Sequence, residues 1–309
     1  GSITWGALRD LGNIIRLRVV TMEEEPRVLE FRGEELHRVS HAYGTNGIIT
    51  ELEMPLAPAY DWTDIFVSFD DFDAALEFAN GLGNQDGILK KLCSVYEAPI
   101  AHSYFQRVQP HVAEDTTLVG LMIAPHSMEG FLTFLGRHPA GQLIYRSDDN
   151  DWDRTPGPVF EYGWNHTTLR ALRVDPSITY LQVRYAYPDH IALVQKMRAD
   201  FSPEVMQHLE VMRESGRTIF AGLSMVRFTT EERLDEIVRL HEEAGAIIFN
   251  PHRYTLEEGG RQSADQRQLD FKREADPKGL LNPGKMITWD NPDHDYSSMY
   301  AYPGLQAAE

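Results

Sequence analysis

Cysteine is nearly absent: the 309 residues include one, Cys93. An intrachain disulfide and a cysteine-ligated metal cluster are thereby excluded, and a lone thiol fits a reducing compartment. Basic charge is scarce too. Twenty-nine Lys and Arg stand against 47 Asp and Glu, a formal net charge of −18. No stripe of cations is present to neutralise phosphates, so nucleic acid is not expected as a partner. Long apolar runs are missing, and the run from Leu118 to Ala124 is far too short to cross a bilayer. The N-terminus lacks the charged-then-apolar pattern of a secretion signal. These absences predict a cytoplasmic protein with no membrane span. What is there is ordinary for a folded chain: 42% hydrophobic and 25% charged residues, enough for a core and for two domains.

The periodicity predicts an α+β protein. Asn13–Met22, Arg27–Phe31 and Ile48–Leu56 read as β-branched strands, with one or two helical turns over Glu34–Ser40. A repeated strand–helix–strand rhythm follows. Its first unit is Thr63–Phe69, a helix from about Asp71 to Leu82 and Leu89–Tyr96. An aspartate at 70 or 71 caps that helix, because its carboxylate can accept from free first-turn amides. The second unit is Thr117–Ala124, Met128–Arg137 and Gln142–Arg146. The third is Ile178–Tyr185, His190–Asp200 and Val205–Met212. The fourth is Thr218–Val226, Glu231–Ala244 and Ala246–Phe249. Two such units back to back make the split βαβ, or ferredoxin-like, arrangement, and a generic α+β sandwich is the bland alternative. The acidic, turn-rich stretch Ser147–Pro158 reads as a loop joining the halves, and the residues from about Asp290 as a surface tail.

Three segments carry a resemblance. The first is Trp5-Gly6-Ala7-Leu8-Arg9-Asp10 with Asn13, Leu17 and Val19-Val20. The second is Ala42-Tyr43-Gly44-Thr45-Asn46-Gly47-Ile48-Ile49-Thr50. The third is Asp276-Pro277-Lys278-Gly279-Leu280-Leu281-Asn282-Pro283-Gly284-Lys285. Taken in order around an α+β region, they resemble the FAD-linked oxidases of the vanillyl-alcohol oxidase and p-cresol methylhydroxylase type. The resemblance implies a second part of an FAD-binding domain over residues 1–57. It implies a substrate-covering, ferredoxin-like cap with an antiparallel sheet over 58–275, and a return to the flavin domain over 276–309. The glycine-rich loop that cradles the FAD pyrophosphate in that family does not precede Gly1. The expectation is therefore a fragment of a longer enzyme. Gly1-Ser2 reads equally as native sequence or as a remnant of cloning.

A dinucleotide needs close backbone approach, and Gly44 and Gly47 remove two Cβ atoms within four residues. The resemblance implies flavin contacts for Gly1, Ser2, Gly6, Gly44, Thr45, Asn46, Gly47, Ile48, Ile49, Asn282 and Lys285. A cation or donor such as Lys285 or Asn282 would offset the charge of a reduced flavin. The plain alternatives are tight turns, Pro283-Gly284 among them.

Oxidising an alcohol needs a base for the hydroxyl proton, and an anionic substrate needs a cation. Asn250-Pro251-His252-Arg253-Tyr254 offers His252 as base, Arg253 as carboxylate clamp and Tyr254 as polarising hydroxyl. Related sugar-lactone oxidases have a Pro-His pair at the corresponding place. The alternative is an ordinary loop in which His252 and Arg253 pair with Glu257 or Glu258. His166 is a further catalytic candidate, on a helix starting near Asn165. His208 and Glu210 project from one face of a strand, and with His166 or His252 they are weak candidates for a divalent-metal site. The H-x-GDGN-x-H run of metal-binding relatives is missing, so no metal is expected.

The leading expectation is an FAD-dependent oxidase or dehydrogenase acting on a small hydroxylated molecule such as a 2-hydroxy acid or alcohol. Its electron acceptor is unassigned, and a homo-oligomer is among the expected assemblies. The alternative is a non-catalytic fragment, or a binding or oligomerisation module of that family, without bound flavin.

Overall fold

The computed structural model describes residues 3–7, 11–261 and 266–293. The chain forms two compact units, one of residues 1–6 and 58–248, the other of 7–57 and 249–309. Re-entry into the second unit thus falls at Phe249, ahead of the boundary expected from the closing motif.

The second unit opens with strands β1 (Arg16–Val20), β2 (Val28–Arg32) and β3 (Ile48–Glu53), in the order β2-β1-β3. Alternation sorts their faces. Leu17, Val19 and Phe31 turn inward, and Leu36, Val39, Phe271 and Ala275 join them in one cluster. The opposite face carries a charge ladder in which Arg16 bonds Glu30 and Glu53, and Arg18 bonds Glu51. The expected helical turn is a 3₁₀ segment, Gly33–Arg38.

The first unit holds β4 (Thr63–Phe69), α1 (Phe72–Gly83), β5 (Lys90–Tyr96), α2 (Ile100–Tyr104), β6 (Thr117–Ile123), α3 (Met128–Leu135) and β7 (Gln142–Arg146). It continues with α4 (Asn165–Val174), β8 (Ile178–Tyr180), β9 (Val183–Tyr185), α5 (His190–Phe201), β10 (Val205–Met206), β11 (His208–Glu214), β12 (Arg217–Gly222), β13 (Met225–Arg227), α6 (Glu231–Glu243) and β14 (Ile247–Ile248). Asp71 caps α1 by accepting from the Ala74 amide, at 3.0 Å. One eight-stranded antiparallel sheet runs β14-β9-β12-β11-β5-β6-β4-β7. Each half of it is strand–helix–strand, strand–helix–strand, and the halves meet where β5 pairs β11. On one face α1, α3, α5 and α6 bury residues such as Phe78, Phe131, Met197 and Ile237. The other face, with Phe66, Tyr96 and Tyr162, is covered by α2 and α4. Cys93 on β5 is buried.

Three expected strands are each broken in two. Ile178–Tyr185 divides into β8 and β9, Val205–Met212 into β10 and β11, and Thr218–Val226 into β12 and β13. The pieces β10, β13 and β8 form their own three-stranded sheet. The sheet forks around buried polar residues: Gln207 accepts from the Ser224 hydroxyl at 2.9 Å and from Tyr185 at 3.3 Å.

After Phe249 come a π-helical segment (Leu256–Arg261), α7 (Gln266–Ala275) and α8 (Ile287–Asp290), none of them expected from sequence. Phe271 and Ala275 of α7 complete the core of the β2-β1-β3 sheet.

Candidate functional site

Within the second unit, the loop after the 3₁₀ segment bends sharply. His41, Tyr43, Gly44 and Gly47 all have positive φ. Asn282, also at positive φ, donates from Nδ2 to the Tyr43 carbonyl at 2.6 Å. A Cβ on Gly44 would lie 2.6 Å from that same Nδ2, so only glycine admits the contact. Gly47 makes room for Val19, whose Cγ1 would be 2.5 Å from an added Cβ. The second and third motifs are therefore joined.

Their side-chain donors are engaged internally. Thr45 donates to the Ala42 carbonyl, and Asn46 to those of Arg38 and Gln268. Ile48 and Ile49 are each 48% exposed and offer an open apolar wall. Lys285 lies with its ammonium 4.9 Å from the Tyr254 ring centroid. Beneath the closing motif, buried Lys272 bonds the Asp276 carboxylate and the Leu281 carbonyl. Burial alone would push the Asp276 carboxyl up. Lys272 and the amides of Leu280 and Leu281 outweigh it and hold the carboxyl below its ordinary value. A shallow crease with almost no enclosed volume lies between Thr45, Lys272, Asn282 and Trp289. Ligand pockets usually span about 300–1,000 Å³, so the crease by itself does not house an isoalloxazine.

His252, Arg253 and Tyr254 lie on an exposed loop of the same unit. Glu257 is fully buried and accepts from the amides of Ile287 and Thr288 and from the Thr288 hydroxyl, which caps α8. Glu258 takes the Thr255 hydroxyl. The two acids weighed as loop partners for His252 and Arg253 thus have local structural duties. Trp5 and Gly6 belong to the first unit, where Gly6 is buried at a φ of 77°. Gly1 and Ser2 lie outside the described residues.

The first unit contains a second polar cluster. Register places Tyr96 opposite His208 and Ser94 opposite Glu210. His208 and Glu210 are both fully buried. Glu210 Oε1 lies 3.0 Å from His208 Nε2 and accepts from the Trp164 amide at 2.6 Å. Its Oε2 accepts from the Ser94 hydroxyl at 2.5 Å. Tyr96 stacks on the imidazole, with centroids 5.1 Å apart, and Thr167 Oγ1 lies 3.3 Å from Nε2. His208 Nδ1 is buried without a hydrogen-bond partner. Trp164, which opens α4, has φ 51° and ψ −139°. Such conformations cost a bulky residue on the order of 1–3 kcal/mol and persist where surroundings over-determine them; here Glu210 holds the amide. His166 is half exposed and pairs with Glu161 at 3.2 Å. Among the described residues no group of three or more His, Cys, Asp or Glu could hold a metal. The sequence offered the His208–Glu210 pair through its i, i+2 spacing. Ser94, Tyr96 and Thr167 came only with the strand register and the docking of α4.

No family model and no curated protein matches the chain in sequence. Solved structures do match. Two crystal forms of alkyldihydroxyacetonephosphate synthase superpose with a TM-score of 0.57 at 14% and 13% identity. They cover 88% of this chain and 54% and 53% of their own. What is shared is the fold. The chain spans about half the length of those synthase structures, 54% in the first. A structure of 6-hydroxy-D-nicotine oxidase from Arthrobacter nicotinovorans is similar over 87% of this chain and 64% of its own, at 15% identity and a TM-score of 0.48. No helix among the described residues is long and apolar enough to cross a membrane.

Proposed function

We propose that the chain is part of an FAD-linked oxidoreductase that oxidises a small hydroxylated substrate such as a 2-hydroxy acid or an alcohol. The observation that carries this reading is the 2.6 Å bond from Asn282 to the Tyr43 carbonyl, with Gly44 kept bare beside it. It unites the two segments whose family counterparts meet at the flavin. The fold held in common with the synthase, an FAD-binding oxidase-family fold, supports the same reading.

Thr45, Asn46 and Asn282 act as the frame of the site, because their side chains are used within the unit. Backbone groups of the Gly44–Gly47 loop, the apolar wall of Ile48 and Ile49, and the Lys285 ammonium are what remains to hold a flavin. Such a cofactor would take up the substrate's hydride, which carries the electron pair of the C–H bond. His252 serves as a proton acceptor, Arg253 as a carboxylate clamp and Tyr254 as a hydroxyl donor, all from the exposed loop after Phe249. On this reading the sheet unit, with its paired strand–helix repeats, is the cap.

Titration with FAD tests the proposal. Uptake should quench flavin fluorescence and leave visible absorption bands on the protein. Asn282→Ala should weaken uptake about tenfold, the effect of about 1.4 kcal/mol. A wild-type protein that takes up no FAD removes the proposal. The second reading, a module without flavin, draws on the internal engagement of Thr45, Asn46 and Asn282 and on the small crease; colourless protein after incubation is its signature.

A further inference from the structure

We propose that Tyr43 is a further catalytic residue of the reaction proposed above, its hydroxyl donating a hydrogen bond to the substrate oxygen that becomes the carbonyl; the inference rests on that reading for the identity of the reaction. Every protein group it uses lies in the second unit.

Three features set Tyr43 apart. Its φ is 52°, and a left-handed conformation in a bulky residue is an outlier that its surroundings must hold in place. They do so here. Asn282 grips the Tyr43 carbonyl at 2.6 Å, and the ring lies edge-on to His41 and packs against the cluster of Leu256, Leu269 and Met286. The hydroxyl is the exception: the side chain is only partly buried, and among the described residues no hydrogen bond engages its oxygen. Beside it Gly259 is kept bare. A Cβ there would lie 3.2 Å from the Tyr43 hydroxyl, 2.7 Å from the Arg253 carbonyl and 3.2 Å from that of Asn250. The phenol therefore reaches the turn that carries His252 and Arg253. Asn250 closes that turn by accepting from the His252 amide at 3.0 Å, and Leu256 anchors the loop further on by donating to the Lys285 carbonyl at 2.7 Å.

A fixed backbone, a packed ring and an idle hydroxyl make a preorganised donor, and such donors act where charge develops during reaction. Burial raises the phenol above its ordinary pKa, so it keeps its proton at neutral pH. Tyr43 turns its carbonyl to the closing motif and its hydroxyl to the His252 turn, which favours a substrate oxygen over one on the flavin. In the oxidation the substrate O–H proton passes to His252. The C–H bond breaks with its electron pair, which leaves as hydride for the flavin of the proposed function, and the C–O bond becomes a carbonyl. Tyr43 donates to that oxygen throughout and keeps its own proton.

Tyr43→Phe removes the hydroxyl alone. Its denaturant midpoint should match the wild type, since no protein group loses a partner, and it should load FAD equally well. Loaded wild type and variant are then mixed with a panel of glycolate, both lactates, both malates and primary alcohols, and flavin bleaching is followed against substrate concentration. The limiting rate of the variant should fall about 10- to 100-fold, with the half-saturating concentration moving less than about threefold. In loaded wild type labelled with ¹³C-tyrosine, the carbonyl product of the fastest panel member should shift the Tyr43 phenol carbon, which is assigned by its loss in the variant. Bleaching of Tyr43→Phe at the wild-type rate overturns the inference, as does an unmoved phenol signal. Weak FAD uptake by the variant overturns it by placing the hydroxyl on the flavin, and a lowered midpoint does so by making the hydroxyl structural. A wild type that takes up no FAD sinks the oxidoreductase reading, and a loaded wild type that no panel member reduces sinks its substrate class; the role of Tyr43 falls with either.

Discussion

The two halves of the eight-stranded sheet share one connectivity and differ in their interiors. In the first half β4 and β6 pair without interruption from Thr63–Ile123 to Phe69–Thr117, and all of β6 is buried. In the second half β9 and β12 pair only from Phe220–Tyr185 to Gly222–Val183. There the strands fork, and the forks are lined with Gln207, Ser224 and His208, all fully buried. Glu97 joins them from the end of β5, accepting from the Gln207 amide at 2.7 Å. Burial pushes the Glu97 carboxyl up, against the opposing pull of that amide and of Arg198. The same topology thus tolerates an apolar slab and a polar fork. The fork lies beside the β5–β11 strand pair that joins the halves, and His208 and Glu210 sit on that pair.

Five substitutions press on this contrast. The largest effect is expected in the apolar half. Phe78 is fully buried between Phe69 and Phe134, and Phe78→Ala should cost about 3–5 kcal/mol in denaturant unfolding. A cost below 1 kcal/mol would mean that this half is loosely packed after all. The next effect belongs to the polar half. Burial lowers the pKa of His241 on α6 from 6.5 to about 4, with the Ile237 carbonyl opposing. The unfolded chain therefore binds the proton first. Stability should be complete above about pH 6.5 and fall as pH drops toward 4, by up to about 3 kcal/mol. His241→Phe should flatten that decline, and an unchanged pH profile would assign it to other groups.

Gln207→Leu strands the Ser224 and Tyr185 hydroxyls and should cost about 1–3 kcal/mol. If it is neutral, the fork does not depend on its polar lining. Smallest are the caps, one in each half. Asp71 accepts from Ala74 and Thr230 from Arg233. Asp71→Ala and Thr230→Ala should each cost about 1 kcal/mol in thermal melts. Unequal values would show that helix anchoring, as well as the core, divides the halves.

Periodicity made most of the sheet unit legible. Gln142–Arg146 coincides with the strand found, and α1 begins directly after Asp71, one of the two aspartates offered as its cap. The forks were not legible, because a Gln or Ser between apolar neighbours leaves the alternation intact. Its burial is decided by partners on other strands. The helix α7 was missed because its sequence is polar, with only Leu269, Phe271 and Ala275 packing inward as apolar anchors. At the candidate site, glycine spacing located the Gly44 loop but could not tell a gap kept for a ligand from one kept for protein. Asn282 fills the first gap and Val19 the second. His208 and Glu210 were visible as a pair on a strand. Their donors were not, since Ser94 and Trp164 reach Glu210 only through long-range register.

Cys93 occupies the strand that joins the two halves, and burial pushes its thiol's proton affinity far up. A maleimide or iodoacetamide reagent meets neither an accessible nor an ionised sulfur there. Its rate of attachment consequently times the separation of β5 from its neighbours. The protein carries its own stopwatch for the opening of that seam, and no label has to be engineered to read it.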